Sequence, residues 1–111
     1  MENVGIDIVQ TDRIREHVND ERFVERILSP GELDKFYSFN ENRRIEFLSG
    51  RFAAKEAIIK CLSDYEVPIL NELDIFNDEK GKPIIRYRNY DIALSISHER
   101  DYAVAIAVLK E

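Results

Sequence analysis

The C-terminal third of the chain alternates apolar residues with small ones. In IALSIS, Ile92, Leu94 and Ile96 fall on one side, and Ala93, Ser95 and Ser97 on the other. In YAVAIAVL, Tyr102, Val104, Ile106 and Val108 oppose Ala103, Ala105 and Ala107. A period of two is that of a strand with two distinct faces, and HERD between the runs predicts a hairpin. The row of alanines leaves room for a helix to lie close on that face. ELDIF and PIIRYR are shorter strand candidates on either side of NDEKGK, a turn-rich segment followed by Pro83. Near the start, VGIDIV is apolar on both faces except at Asp7, the pattern of a buried strand of about four to six residues.

Helical spacing fills the rest of the first half. Residues 11 to 27 predict one helix, with Thr11 as N-cap and Ile14, Val18, Phe23 and Ile27 toward the core. SPGEL opens a second helix: Ser29 caps it, Pro30 suits its first position, and Glu32 completes a capping box. That helix is expected to run to about Phe39, with polar NENRR separating it from a longer one through GRFAAKEAIIKCL. At 100° per residue, Gly50, Ala53, Ala54 and Ala57 form a narrow stripe of small side chains that matches the alanine row of the hairpin. The resulting expectation is an α+β fold, a small antiparallel sheet packed on a long central helix.

Composition changes this picture little. The chain has 111 residues, of which 44% are hydrophobic and 34% charged, which fits one soluble domain over 1–111 and argues against disorder. No apolar run reaches the length of a membrane span, and MENVGIDIVQ lacks the form of a secretory signal. The single cysteine, Cys61, excludes an internal disulfide and leaves a structural zinc site short of thiols. A cytoplasmic protein, not held at a membrane, is expected. The net charge of -6 makes nucleic acid an unexpected partner. Mixed charges between Arg13 and Arg26 still leave room for a local basic face toward an acidic partner.

Candidate chemistry lies in the long helix. Leu48, Phe52, Ile58, Ile59 and Leu62 form a wide apolar arc, and Arg51 and Lys55 fall inside it with Glu56 at its edge. Glu56 and Lys60, four apart in the favourable order, have a plain reading as a surface pair. Arg51 and Lys55 need partners, because a covered charge must offset its lost hydration. An anion-binding site, with a metal beside it, is one reading. Asp7 within an apolar strand is its second half: two carboxylates and nearby cations suit Mg²⁺ with phosphates. Alone, Asp7 reads equally well as a cap or turn acceptor. His98 at the end of SISH carries a weak signal, His17 reads as a surface residue, and Cys61 as an inert core thiol.

Taken in order, GIDIVQTDRI, FLSGRFAAKEAIIK and SISH resemble the holo-acyl-carrier-protein synthases, the small single-domain group of 4′-phosphopantetheinyl transferases. RFVERILSPGEL and NDEKGKP extend the similarity along nearly the whole chain. The resemblance implies that fold and a Mg²⁺-dependent transferase serving fatty acid biosynthesis. Such enzymes move the phosphopantetheine arm of coenzyme A to a serine of an apo acyl carrier protein and release adenosine 3′,5′-bisphosphate. It implies Asp7 and Glu56 as metal ligands and, with Lys60 and His98, as the catalytic set. Arg51, Lys60 and His98 would contact the coenzyme A phosphates, Lys55 a phosphate or the structure around it, and Gly81, Lys82 and Pro83 the adenine end. Arg13, with Arg15, Arg22 and Arg26, would dock the carrier protein. The resemblance also implies a homotrimer with active sites between subunits.

Two features depart from the family pattern. Asn3 stands where members carry a glycine, and CLSDYEVP, with Asp64 and Glu66, replaces their Gly-Thr-Gly loop. Alternatives therefore stay open: a non-catalytic oligomeric relative that binds coenzyme A or a carrier protein, or a small hydrolase of nucleotide diphosphates. The general base is also open between Asp7, Glu56 and a water.

Overall fold

In the computed structural model, which describes residues 3–110, the chain runs through five strands and four α-helices. Strand β1 (Asn3–Gln10) leads into the short helices α1 (Thr11–Arg15) and α2 (Glu21–Ile27), then α3 (Pro30–Ser38) and the long α4 (Glu41–Cys61). A 3₁₀ turn (Leu70–Glu72), the hairpin β2 (Asp74–Asn77) and β3 (Pro83–Arg86), and the hairpin β4 (Asp91–His98) and β5 (Tyr102–Lys110) complete it. The main sheet is antiparallel in the order β1-β5-β4, and β2 and β3 form a separate two-stranded ribbon. This is the α+β arrangement that the alternating patterns predict.

Small residues set how α4 meets the sheet. Ala53, Ala54 and Ala57 are fully buried, as are Ala103 and Ala107 of β5, with Ala105 nearly so. Gly5 shows how close the approach is: a Cβ there would lie 1.9 Å from the carbonyl oxygen of Ala57. Only glycine allows strand and helix backbones to touch in this way.

The structure corrects the sequence reading in three places. The helix expected over 11–27 is two helices, because the Asp20 side chain accepts from Arg22 N at 3.1 Å and Phe23 N at 3.4 Å and starts α2 afresh. Thr11 is no cap; its hydroxyl donates to Arg100 O at 2.8 Å and ties α1 to the β4–β5 turn. Ile14, Val18 and Ile27 are buried as expected, whereas Phe23 is only partly buried and Val24 occupies the core beside it. Second, NENRR does not separate two helices: Asn40 accepts from Arg43 N at 2.9 Å and the rest is the first turn of α4. Arg44 in that turn donates to Phe36 O and Tyr37 O, at 3.1 and 2.9 Å, and satisfies carbonyls at the end of α3.

Third, β1 is buried on one face only. Gly5 and Val9 face α4, while Val4, Ile6 and Ile8 are about 60% exposed. They adjoin Val108, Ile106 and Val104 across the β1–β5 register, of which Ile106 is exposed. The sheet has a helix on one side only, so its other side is an uncovered apolar surface. The capping box of α3 forms as expected, with Ser29 N donating to Glu32 Oε1 at 2.8 Å and Glu32 N to Ser29 Oγ at 3.3 Å.

Candidate active site

Helix α4 divides the inner face of the sheet, and the charged residues sort to its two flanks. Residues 51 and 56 stand about 140° apart around a helix, which places Arg51 and Glu56 on opposite sides. Across the sheet, Asp7 pairs with Ala105 and Ala105 with Ile96, so the flanks are two strand spacings apart, about 10 Å.

On the β1 flank, Asp7 and Glu56 line an open cavity of about 720 Å³ with Arg13, His17, Phe23, Phe52 and Tyr102. Lys60 Nζ donates to Asp7 Oδ1 at 3.2 Å and to Ile6 O at 2.8 Å. Its partner is thus Asp7, reached through the fold, rather than Glu56 one turn back. Burial pushes the Glu56 carboxyl above its ordinary range, the Asp7 charge pushes it further, and Lys60 opposes both. Among the described residues no group of three or more His, Cys, Asp or Glu side chains gathers. Two carboxylates that repel each other beside open space are nevertheless the donor set Mg²⁺ takes, since it fills its other positions with water and phosphate oxygens.

On the β4 flank a second cavity, of about 400 Å³, is lined by Lys35, Arg43, Arg51 and His98 together with Gly81 and Pro83. In a chain of net charge -6 this is a cationic hollow, with Glu46 the only acidic residue lining it among the described residues. His98 Nδ1 lies 3.1 Å from Glu46 Oε1. Arg51 is held from three sides: Nε is 3.4 Å from Glu32 Oε2, Nη2 donates to Asn77 Oδ1 at 2.9 Å, and the guanidinium lies 4.5 Å from the Phe47 ring centroid.

Lys55, placed by resemblance near a phosphate, faces neither cavity. It is fully buried, and Nζ donates to Glu32 Oε1, to Ile27 O at 2.7 Å and to Leu70 O at 3.1 Å. An ammonium has three donors, so none remains for a ligand. Burial lowers the proton affinity of Arg51 and Lys55, and Glu32 opposes the loss in each. Glu32 also accepts from Ile75 N at 3.1 Å. Sequence reasoning gave Glu32 a capping role and missed this second one. The signal was present, because two cations in an apolar arc require a carboxylate within the core.

The remaining expected residues are more scattered. Lys82 belongs to the β2–β3 turn, where its backbone N donates to Asp78 Oδ1 at 2.9 Å. Arg15 shares a separate hollow of about 420 Å³ with His98 and Arg100, and Arg22 and Arg26 lie exposed on α2. The segment in place of the Gly-Thr-Gly loop is pinned. Glu66 accepts from the hydroxyls of Tyr87 and Tyr90, each at 2.7 Å, and from Arg88 Nε at 3.0 Å. These bonds hold its carboxyl below the ordinary range, the Tyr87 hydroxyl foremost.

Fold and site define a class, and comparison with known proteins agrees. Residues 3–107 match the model of the 4′-phosphopantetheinyl transferase superfamily, and the chain belongs to that superfamily. It is similar to the holo-[acyl-carrier-protein] synthase of Staphylococcus aureus, with 42% identity over 97% of this chain and 94% of the relative. A crystal structure of the Bacillus anthracis synthase in complex with CoA (3′,5′-ADP) superposes with a TM-score of 0.84 at 35% identity, covering 96% of this chain and 94% of that one. The Helicobacter pylori synthase in complex with coenzyme A gives 0.77 at 30% identity, over 96% and 99% of the two chains. Within the superfamily the chain belongs to the holo-acyl-carrier-protein synthases, which are transferases.

Proposed function

We propose that the protein transfers the 4′-phosphopantetheine group of coenzyme A to a serine of an apo acyl carrier protein. The cationic cavity beside Arg51 carries this reading: it offers three basic side chains and His98 to a polyanion in an otherwise acidic chain. The B. anthracis and H. pylori relatives were crystallised with coenzyme A, which supports the same occupant here.

In the reaction the serine hydroxyl gives its proton to a base (Asp7, Glu56 or a water), its Oγ forms a bond to the β-phosphorus, the bond from that phosphorus to the bridging oxygen breaks, and adenosine 3′,5′-bisphosphate leaves. Arg51 and His98 would hold the phosphates of the leaving group, and Gly81, Lys82 and Pro83 its adenine end. The fixed guanidinium of Arg51 acts with little reorganisation. Lys60, anchored on Asp7 and Ile6 O, presents a cation beside the carboxylates where charge develops. Asp7 and Glu56 would hold Mg²⁺, which when bound supplies charge neutralisation on the pyrophosphate. Arg13, on the wall of the same cavity, would meet the acidic carrier protein, with Arg15, Arg22 and Arg26 widening the basic face. A role in fatty acid biosynthesis and a cytoplasmic location complete the reading; no described helix is long and apolar enough to cross a membrane.

A homotrimer with sites between subunits belongs to this proposal. One chain keeps its carboxylates and its cationic cavity on opposite flanks of α4, and a neighbour seated on the uncovered face of β1 and β5 would bring one flank against the other. Burying that face also removes its exposed apolar side chains from water.

The test is the intact mass of an apo acyl carrier protein after incubation with this protein, coenzyme A and Mg²⁺. The expected result is a gain of one phosphopantetheinyl group, abolished by EDTA. No gain across several carrier proteins, from a folded sample, would overturn the assignment in favour of a binding relative without turnover.

A further inference from the structure

One residue joins the two walls of the cationic cavity. Asn77, the last residue of β2, accepts from Arg51 Nη2 at 2.9 Å through Oδ1 and donates to Gly81 O at 2.9 Å through Nδ2. Its amide thus faces a donor with its oxygen and an acceptor with its nitrogen, which fixes the orientation of the group. Gly81 and Asn77 both line the cavity. Gly81 has a φ of 85°, in the left-handed region that suits glycine in a tight turn.

The turn it carries is otherwise self-contained. Asp78 Oδ1 accepts from Lys80 N and Lys82 N, each at 2.9 Å, Gly81 N donates to Asp78 O, and Asp78 N donates to Lys82 O. These bonds shape the turn without fixing it to α4. On the other side, Arg51 is gripped by Glu32 from within the core, and Glu32 is itself held by Ser29 N, Ile75 N and Lys55. A continuous path therefore runs from the core through Glu32, Arg51 and Asn77 to the tip of the β2–β3 turn.

We propose that Asn77 is a positioning residue for coenzyme A: it holds the guanidinium of Arg51 and the Asp78–Lys82 turn at one spacing, so that both meet the ligand already in place. The inference rests on the reading that coenzyme A occupies this cavity. Without Asn77 the guanidinium keeps Glu32, Phe47 and Ile75 O, but the hairpin tip loses its tie to it and must be ordered by the ligand, and that ordering is subtracted from binding. The effect falls on binding and leaves the reacting phosphorus alone.

The experiment is steady-state transfer by the full chain with Asn77→Ala, Arg51→Lys and the double variant. Lysine keeps a charge for Glu32 but lacks the fork that reaches a second partner. Asn77→Ala is expected to raise the KM for coenzyme A about tenfold, the order of one or two lost hydrogen bonds. Its kcat and the KM for carrier protein should stay within about twofold of the parent. Arg51→Lys should also raise the KM for coenzyme A, and Asn77→Ala should add little to it, because the two act through one contact. If Arg51→Lys raises that KM while Asn77→Ala leaves it unchanged, or if the two effects multiply, Asn77 does not act through Arg51 and the inference is overturned. If Arg51→Lys leaves the KM for coenzyme A at its parental value, the placement of coenzyme A in this cavity fails, and the inference with it.

Discussion

Lys55 and Glu56 are neighbours in the sequence, yet they belong to different parts of the molecule. Lys55 lies in the core, with Glu32 and two carbonyls occupying its donors. Glu56 faces an open cavity beside a second carboxylate. One set of charges is closed, with each partner supplied by the protein. The other is left open to a ligand, and burial first and the Asp7 charge second make Glu56 bind protons more tightly than usual, with Lys60 opposing both. A charge on an otherwise apolar helix therefore has two explanations, and what separates them is whether the fold completes its partners.

The largest expected effect is on the open side. Asp7→Ala or Glu56→Ala should lower transfer by about 10²–10³-fold, because each would hold the Mg²⁺ that offsets the pyrophosphate charge, and losing one stabiliser of that charge costs this much. The urea midpoint should stay near the parental value. Parental turnover in either variant would remove these carboxylates from the proposed metal site.

The closed side should respond in the opposite way. Lys55→Met leaves the buried Glu32 short of a partner, and breaking such a pair costs about 3–5 kcal/mol. Urea denaturation would show it as a large fall in midpoint; an unchanged midpoint would mean that the network is not structural. Lys60 provides the smallest effect and the sharpest contrast. Its side chain is 54% exposed, and exposed pairs contribute less than about 1 kcal/mol. Lys60→Met should leave the denaturation midpoint almost unmoved while transfer falls about tenfold.

Much of this was legible in the sequence. Period-two alternation located β4 and β5, the spacing of glycine and alanines located the face of α4 that meets them, and Ser29 and Glu32 announced the start of α3. Local chemistry sufficed because each pattern reports its own element. The failures involve partners remote in sequence. Glu32 and Lys55 are 23 residues apart and meet only once α3 and α4 have packed. Lys60 joined Asp7 across 53 residues instead of the Glu56 within one turn. The apolar outer face of β1 read as buried because alternation reports that a face is apolar and not what covers it. Asp20 was the exception, a local cap that the longer helical period concealed.

The division made by α4 has a genetic consequence if sites form between subunits. A chain lacking Asp7 still carries an intact cationic cavity, and a chain altered at Arg51 still carries both carboxylates. Two inactive alleles expressed together would then assemble some complete sites from their sound halves. Complementation between them would occur within one gene, and a cell holding both would regain activity that neither allele supplies alone.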